Sequence, residues 1–229
     1  MRMKLSVLAC VAGIGVTAAW GANAAGTART KPHATVHASA QLVAEGKAVF
    51  DENCVACHQQ GAVGLPGTAP SLVNKDLLSI ASDRFLAQTI HDGRPDTPMP
   101  SFADVLKPDQ IKAVIAYLRS FAKEPYRGDD IDAEAPSKGD VLLGQERFQE
   151  ICSACHGPNG EGYSAGGSGT AIAKVGFLSK ASDGFIRATI REGRSGTPMH
   201  GFTGSEGLAR LSYQEIDGII AYLRTMQGK

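Results

Sequence analysis

The chain has 229 residues, 43% of them hydrophobic and 20% charged, with 23 Lys and Arg balanced by 23 Asp and Glu. That balance excludes a disordered chain, a collagen-like fibre and a strongly basic nucleic-acid binder, and leaves a globular protein of one large domain or two small ones. Twenty-seven glycines against 6% aromatic residues imply long glycine-rich loops.

In chain order, Arg2 and Lys4 precede an apolar run from Leu5 to Ala19, and Ala22-Asn23-Ala24 supplies the small residues that a signal peptidase needs. Residues 1–24 are therefore expected to be a cleavable export signal. The rival reading, Cys10 as a lipid-bearing residue after Val7-Leu8-Ala9, leaves too short an apolar region before the cut. Residues 25–39 read as a flexible tail. No later run reaches the roughly 20 apolar residues of a membrane helix, so the mature chain is expected in the periplasm without a transmembrane anchor.

Residues 40–124 form a first unit. Leu42, Val43, Gly46, Val49 and Phe50 share one helical face. After the cysteine pair, Ser82 is placed to cap a helix that Gly93 stops. Pro108 suits the first turn of a final helix with the stripe Ile111, Val114, Ile115 and Leu118. Residues 125–138, acidic and poor in large apolar side chains, read as a linker. Residues 139–229 then repeat the pattern. Leu142, Leu143, Gly144 and Phe148 come first, Ser182 and Gly193 follow, and Ser212 with Glu215 forms a capping box before Ile216, Ile219, Ile220 and Leu223. No alternating strand intervenes, and the expected fold class is all-α.

The repeat is explicit in the residues. Cys54-Val55-Ala56-Cys57-His58 returns 98 positions later as Cys152-Ser153-Ala154-Cys155-His156. At an offset of 100, Ala81-Ser82-Asp83 matches Ala181-Ser182-Asp183, Gly93-Arg94 matches Gly193-Arg194, and Thr97-Pro98-Met99 matches Thr197-Pro198-Met199. Ala116-Tyr117-Leu118-Arg119 returns as Ala221-Tyr222-Leu223-Arg224.

A Cys-x-x-Cys-His run is the attachment signature of a c-type haem: the two thiols reach two vinyl groups of one porphyrin, and the adjacent imidazole falls beneath the iron. Cys54, Cys57, Cys152 and Cys155 are thus the expected covalent haem attachment points, with His58 and His156 as proximal iron ligands. A thioredoxin-like pair needs a strand–helix context and gives the histidines no task. A zinc site lacks a recurring fourth ligand, and a disulfide framework leaves the histidines idle. The glycine-rich run from Gly157 to Gly169 ends in no Gly-Lys-Ser/Thr and is not a phosphate loop. Met99 and Met199 are the expected second axial ligands, since thioether sulfur is an established haem ligand and Met is otherwise scarce in the mature chain. His200, directly after Met199, is the competing ligand in the second unit. Other histidines do not recur: Arg191 replaces His91, while His33 and His37 lie in the tail.

These motifs, together with the terminal helices, resemble the tandem dihaem cytochromes c, each half resembling a class I cytochrome c domain around one covalent haem. The resemblance implies a close crossing of the first and last helices of each unit, through Gly46, Phe50 and Tyr117 and then Gly144, Phe148 and Tyr222. It also implies a proline carbonyl facing the proximal imidazole. Pro70 matches in the first unit. The second has no equivalent proline, so a different environment for His156 is expected. Six-coordinate irons favour electron transfer over chemistry at the metal. The expected role is a periplasmic dihaem electron carrier between a dehydrogenase or quinol-oxidising complex and a terminal oxidase or reductase, with redox proteins as partners and no nucleic acid. The alternative is a haem subunit of a periplasmic dehydrogenase complex. A dihaem peroxidase needs an open iron, against which the duplicated Thr-Pro-Met argues.

Overall fold

The computed structural model describes residues 38–204 and 209–227. The expected export signal, Cys10, His33, His37 and most of the tail lie outside the described residues. Among the described residues there is no strand, only the isolated bridges Leu65–Ala69 and Gly193–His200. The fold is all-α.

The first repeat contains α1 (Ala40–Asn53), α2 (Val55–His58), α3 (Lys75–Ile80), α4 (Asp83–Asp92) and α5 (Pro108–Arg119). A single turn, α6 (Gly128–Asp132), lies in the connecting segment. The second repeat contains α7 (Val141–Arg147), which continues through a π-helical stretch at Phe148–Cys152. Then come α8 (Ser153–His156), α9 (Val175–Leu178), α10 (Asp183–Glu192) and α11 (Tyr213–Arg224).

The punctuation read in the sequence is physical. Ser82 and Ser182 accept the Phe85 and Phe185 amides as N-caps, an interaction of about 1 kcal/mol each. Gly93 and Gly193 end their helices at φ 64° and 73°, a region that costs glycine little. Pro108 opens α5, and Ser212 with Glu215 closes a capping box on α11.

In each repeat the first and last helices cross in backbone contact, α1 on α5 and α7 on α11. A Cβ on Gly46 would sit 1.8 Å from the Ala113 carbonyl oxygen, and one on Gly144 would sit 1.8 Å from that of Gly218. Phe50 packs on Tyr117 at 5.4 Å between ring centroids, and Phe148 on Tyr222 at 5.5 Å. The last helices end on matching arginines. Arg119 donates to the carbonyls of Leu78 and Ala81 and pairs with Asp83, while Arg224 does the same with Leu178, Ala181 and Asp183. Each therefore ties α5 or α11 to the turn before α4 or α10, with its cation at a helix C-terminus where the dipole favours it.

One apolar cluster runs through both repeats, joining Ile80, Phe85, Leu86 and Ile111 of the first to Phe148, Phe185, Ile186 and Ile219 of the second. The Phe85 and Phe185 rings lie 4.6 Å apart. A smaller cluster in the first repeat holds Phe50, Leu78, Val114, Tyr117 and Leu118. The connecting segment is itself packed: Ile131 is buried in the shared cluster. Asp132 accepts the hydroxyls of both helix-capping serines, Ser82 at 2.5 Å and Ser182 at 2.6 Å, and an Arg84 N–H at 2.8 Å. Burial alone would raise the Asp132 pKa, but these donors outweigh it and hold the carboxyl below its ordinary range.

Candidate functional site

Both haem motifs are built at the end of the first helix of their repeat. In the first, α1 stops at Asn53 and Cys54 (φ −120°, ψ −24°) turns the chain. The Cys54 carbonyl then accepts the amides of Cys57 at 3.2 Å and His58 at 2.9 Å. This extra turn puts Cys54 and Cys57 on one side, since residues three apart share a helical face, with His58 following directly. Cys152, Cys155 and His156 are placed alike by the π-helical stretch and α8.

Each imidazole is oriented from behind. His58 Nδ1 lies 3.0 Å from the Pro70 carbonyl oxygen, and His156 Nδ1 lies 2.7 Å from that of Thr170. With Nδ1–H donating, Nε2 carries the lone pair that a metal requires. Burial holds both histidines below the usual imidazole range, partly opposed by these carbonyls, which favours the neutral ring.

The Thr170 contact shows what stands where the first unit has Pro70. The second unit has no proline equivalent to Pro70, yet a backbone carbonyl still faces the imidazole. The glycine-rich loop brings it there. A Cβ on Gly162 (φ +66°) would lie 2.2 Å from the Ala171 nitrogen, and one on Gly169 would lie 2.7 Å from Nδ1 and Cε1 of His156. The Gly169 amide also donates to the Cys155 carbonyl at 2.8 Å. Thr170 could not be found from sequence, because any residue can offer a carbonyl.

The four cysteines of the two motifs form no disulfide. Burial, with a smaller contribution from the neighbouring cysteine, pushes Cys54 up to about 11 and Cys152 up to about 12. A redox Cys-x-x-Cys pair needs the opposite, a thiol depressed toward thiolate. Among the described residues, no three His, Cys, Asp or Glu converge as a zinc site would require.

Met99 and Met199 lie on matching turns after α4 and α10. The Arg94 amide donates to the Met99 carbonyl at 3.0 Å, the Thr97 hydroxyl to the Arg94 carbonyl at 2.7 Å, and the Met99 amide to Thr97 Oγ1 at 3.3 Å. The same three bonds join Arg194, Thr197 and Met199 at 2.6, 2.8 and 3.1 Å. The repeated Thr-Pro-Met is thus a closed turn with a fixed geometry. Met199 and Cys152 pack against the same apolar cluster, whereas His200 is exposed. Met99 is half-buried and is not part of the smaller cluster that Cys54 joins. The matching arginines Arg94 and Arg194 were legible only as part of the repeat, since a lone Arg in a loop carries no chemical signature.

These residues fit covalent haem: paired thiols one turn apart, a neutral imidazole with Nδ1 engaged, and glycine against the ring where a side chain would collide. The haem-held residues would be Cys54, Cys57 and His58 with Met99, and Cys152, Cys155 and His156 with Met199.

Comparison with known proteins agrees. Residues 41–118 match the family model for cytochrome c oxidase, cbb3-type, subunit III, and residues 141–227 match that for cytochrome c. A cbb3-type cytochrome c oxidase subunit FixP from Bradyrhizobium sp. (strain ORS 278) is 33% identical over 194 residues, covering 81% of this chain and 61% of the relative. A subunit CcoP from Rubrivivax gelatinosus is 33% identical over 135 residues, covering 59% of this chain and 40% of the relative. The chain thus spans about three fifths or less of the length of these relatives. Among solved structures, the Kuenenia stuttgartiensis reducing HAO-like protein complex Kustc0457/Kustc0458 aligns with 80% of this chain and 95% of its own, at 22% identity and a TM-score of 0.48.

Proposed function

The chain belongs to the cytochromes c, with two tandem domains and two covalent c-type haems, and from that premise we propose that it is an exported electron carrier delivering electrons to a terminal oxidase. The observation that supports this most is the duplicated ligand arrangement: in each domain a neutral, carbonyl-oriented imidazole and a methionine held on a rigid turn. When bound, the haems supply a one-electron ferric–ferrous couple.

The protein's own part is positional. Cys54, Cys57, Cys152 and Cys155 fix the porphyrins by thioether bonds. His58 and His156 present Nε2, kept in place by Pro70 and Thr170. Met99 and Met199 would offer sulfur to the irons from turns closed by their own hydrogen bonds. With His58 and Met99 holding one iron and His156 and Met199 the other, no position would be left for peroxide or another substrate, which disfavours the peroxidase reading. The terminal-oxidase assignment draws on the relatives named cbb3-type oxidase subunits, which match both domains of this chain. The donor would be a dehydrogenase or a quinol-oxidising complex.

The alternative, a haem subunit held permanently in a larger complex, is also favoured by those relatives. Affinity purification of tagged chain from gently solubilised cells separates the two. A free carrier elutes alone and is oxidised rapidly by oxidase-containing membranes, whereas a subunit elutes with stoichiometric partner chains. Failure of such membranes to oxidise the reduced protein would reject the carrier reading.

A further inference from the structure

Arg94 and Arg194 follow the glycines that stop α4 and α10, and both side chains are largely buried. Burial lowers both to about 10, with the Asp76 and Glu192 charges partly opposing it at Arg194, and among the described residues neither forms an ion pair with a carboxylate. A buried cation without an anion is costly, so such groups are ordinarily paired. Arg94 also keeps its Nε buried without a hydrogen-bond partner.

Their surroundings differ. Arg194 stays within its own repeat: Nη2 donates to Thr189 Oγ1 at 2.7 Å, Nη1 to the Gly193 carbonyl at 3.1 Å, and the group lies 5.6 Å from the Phe185 ring centroid. Arg94 crosses into the other repeat. Its Nη2 donates to the Ala171 carbonyl, and its guanidinium lies 5.2 Å from the Phe177 ring centroid. Ala171 directly follows Thr170, whose carbonyl holds His156. The Arg94 backbone meanwhile closes the Met99 turn. One residue therefore joins the Met99 turn, through its backbone, to the loop that holds His156, through its side chain.

We propose that Arg94 is a counter-ion shared by the two haem sites, receiving a haem propionate carboxylate and raising the reduction potential of both haems, while Arg194 serves the second haem alone. The proposal rests on the two-haem reading above. A fixed positive charge in a low-dielectric site disfavours the more positive ferric iron, and a guanidinium is the donor best shaped for a carboxylate.

The test is redox titration of the full-length holoprotein as Arg94→Leu, Arg94→Lys and Arg194→Leu, after intact mass has verified two haems per chain. Absence of haem in the unaltered protein would reject the two-haem reading itself. Arg94→Leu is expected to lower both midpoints with the methionine-to-iron charge-transfer band intact. Arg94→Lys, which keeps the charge, should restore most of the shift, and Arg194→Leu should lower one midpoint only. Unchanged midpoints in Arg94→Leu, a shift confined to one haem, a Lys variant as low as Leu, or loss of the methionine band would each overturn the proposal.

Discussion

The two domains orient the imidazole of their Cys-x-x-Cys-His motif with different local chemistry. In the first, the carbonyl acceptor comes from Pro70, 12 residues beyond His58, and the loop is stiffened by the proline ring itself. In the second it comes from Thr170, 14 residues beyond His156, and the loop is fixed by glycines packed against the ring and the neighbouring backbone. What the duplication retains is the carbonyl, and the residue type that carries it is free to differ. The turn after each histidine differs as well. Gly157 occupies φ 82°, ψ 154°, while Gln59 holds nearly the same conformation at φ 61°, ψ 165°, where a side chain is strained by about 1–3 kcal/mol.

The largest break in this symmetry comes from removing an attachment thiol. Cys54→Ala or Cys155→Ala should weaken or abolish attachment of one haem and leave the other domain loaded, read as loss of one haem mass in intact-mass spectrometry. Next come the helix crossings. Gly46→Ala and Gly144→Ala each drive a methyl into a facing carbonyl and should cost about 3 kcal/mol in denaturant unfolding, at the upper end of the overpacking range. The two values should agree, because the clash distance is the same.

The loops should then respond unequally. Gly169→Ala pushes a methyl against the His156 ring and is expected to displace it, altering the second haem's spectrum and midpoint. Pro70→Ala leaves its carbonyl in place and should alter the first haem only slightly. Equal spectral changes would show that the two loops hold their imidazoles in the same way. The smallest effect is at the turn. Gln59→Gly should stabilise the protein by about 1 kcal/mol through relief of the positive-φ strain, and Gly157→Gln should destabilise it by somewhat more, since its Cβ would also crowd the Ala165 Cβ at 3.0 Å.

Much of this was legible in the sequence because the signals are local and appear twice. Ser82 and Ser182, Gly93 and Gly193, Pro108, and the pair Ser212 and Glu215 act at the positions their chemistry prescribes. Gly46 and Gly144 were legible as crossing points through the family resemblance, and having no side chain they let the two helix backbones approach. The partner groups were not legible. Thr170 acts through its main chain, so its side chain announces nothing. Asp132 sits in a segment that reads as an acidic linker, and only the folded chain brings Ser82 and Ser182, 100 residues apart, to one carboxylate. Likewise Arg94 meets Ala171 across 77 residues, a contact that no local pattern encodes.

The central claim is that each domain binds its iron between a histidine and the methionine of the Thr-Pro-Met turn, and it is tested most directly by the methionine-to-iron charge-transfer band of the ferric holoprotein. The account predicts that Met99→Ala and Met199→Ala each remove about half of the band and that the double variant removes all of it, each single variant lowering the potential of its own haem. A band that survives Met199→Ala at full strength while His200→Ala changes the spectrum would contradict the assignment in the second domain. A band that survives the double variant would contradict the assignment in both.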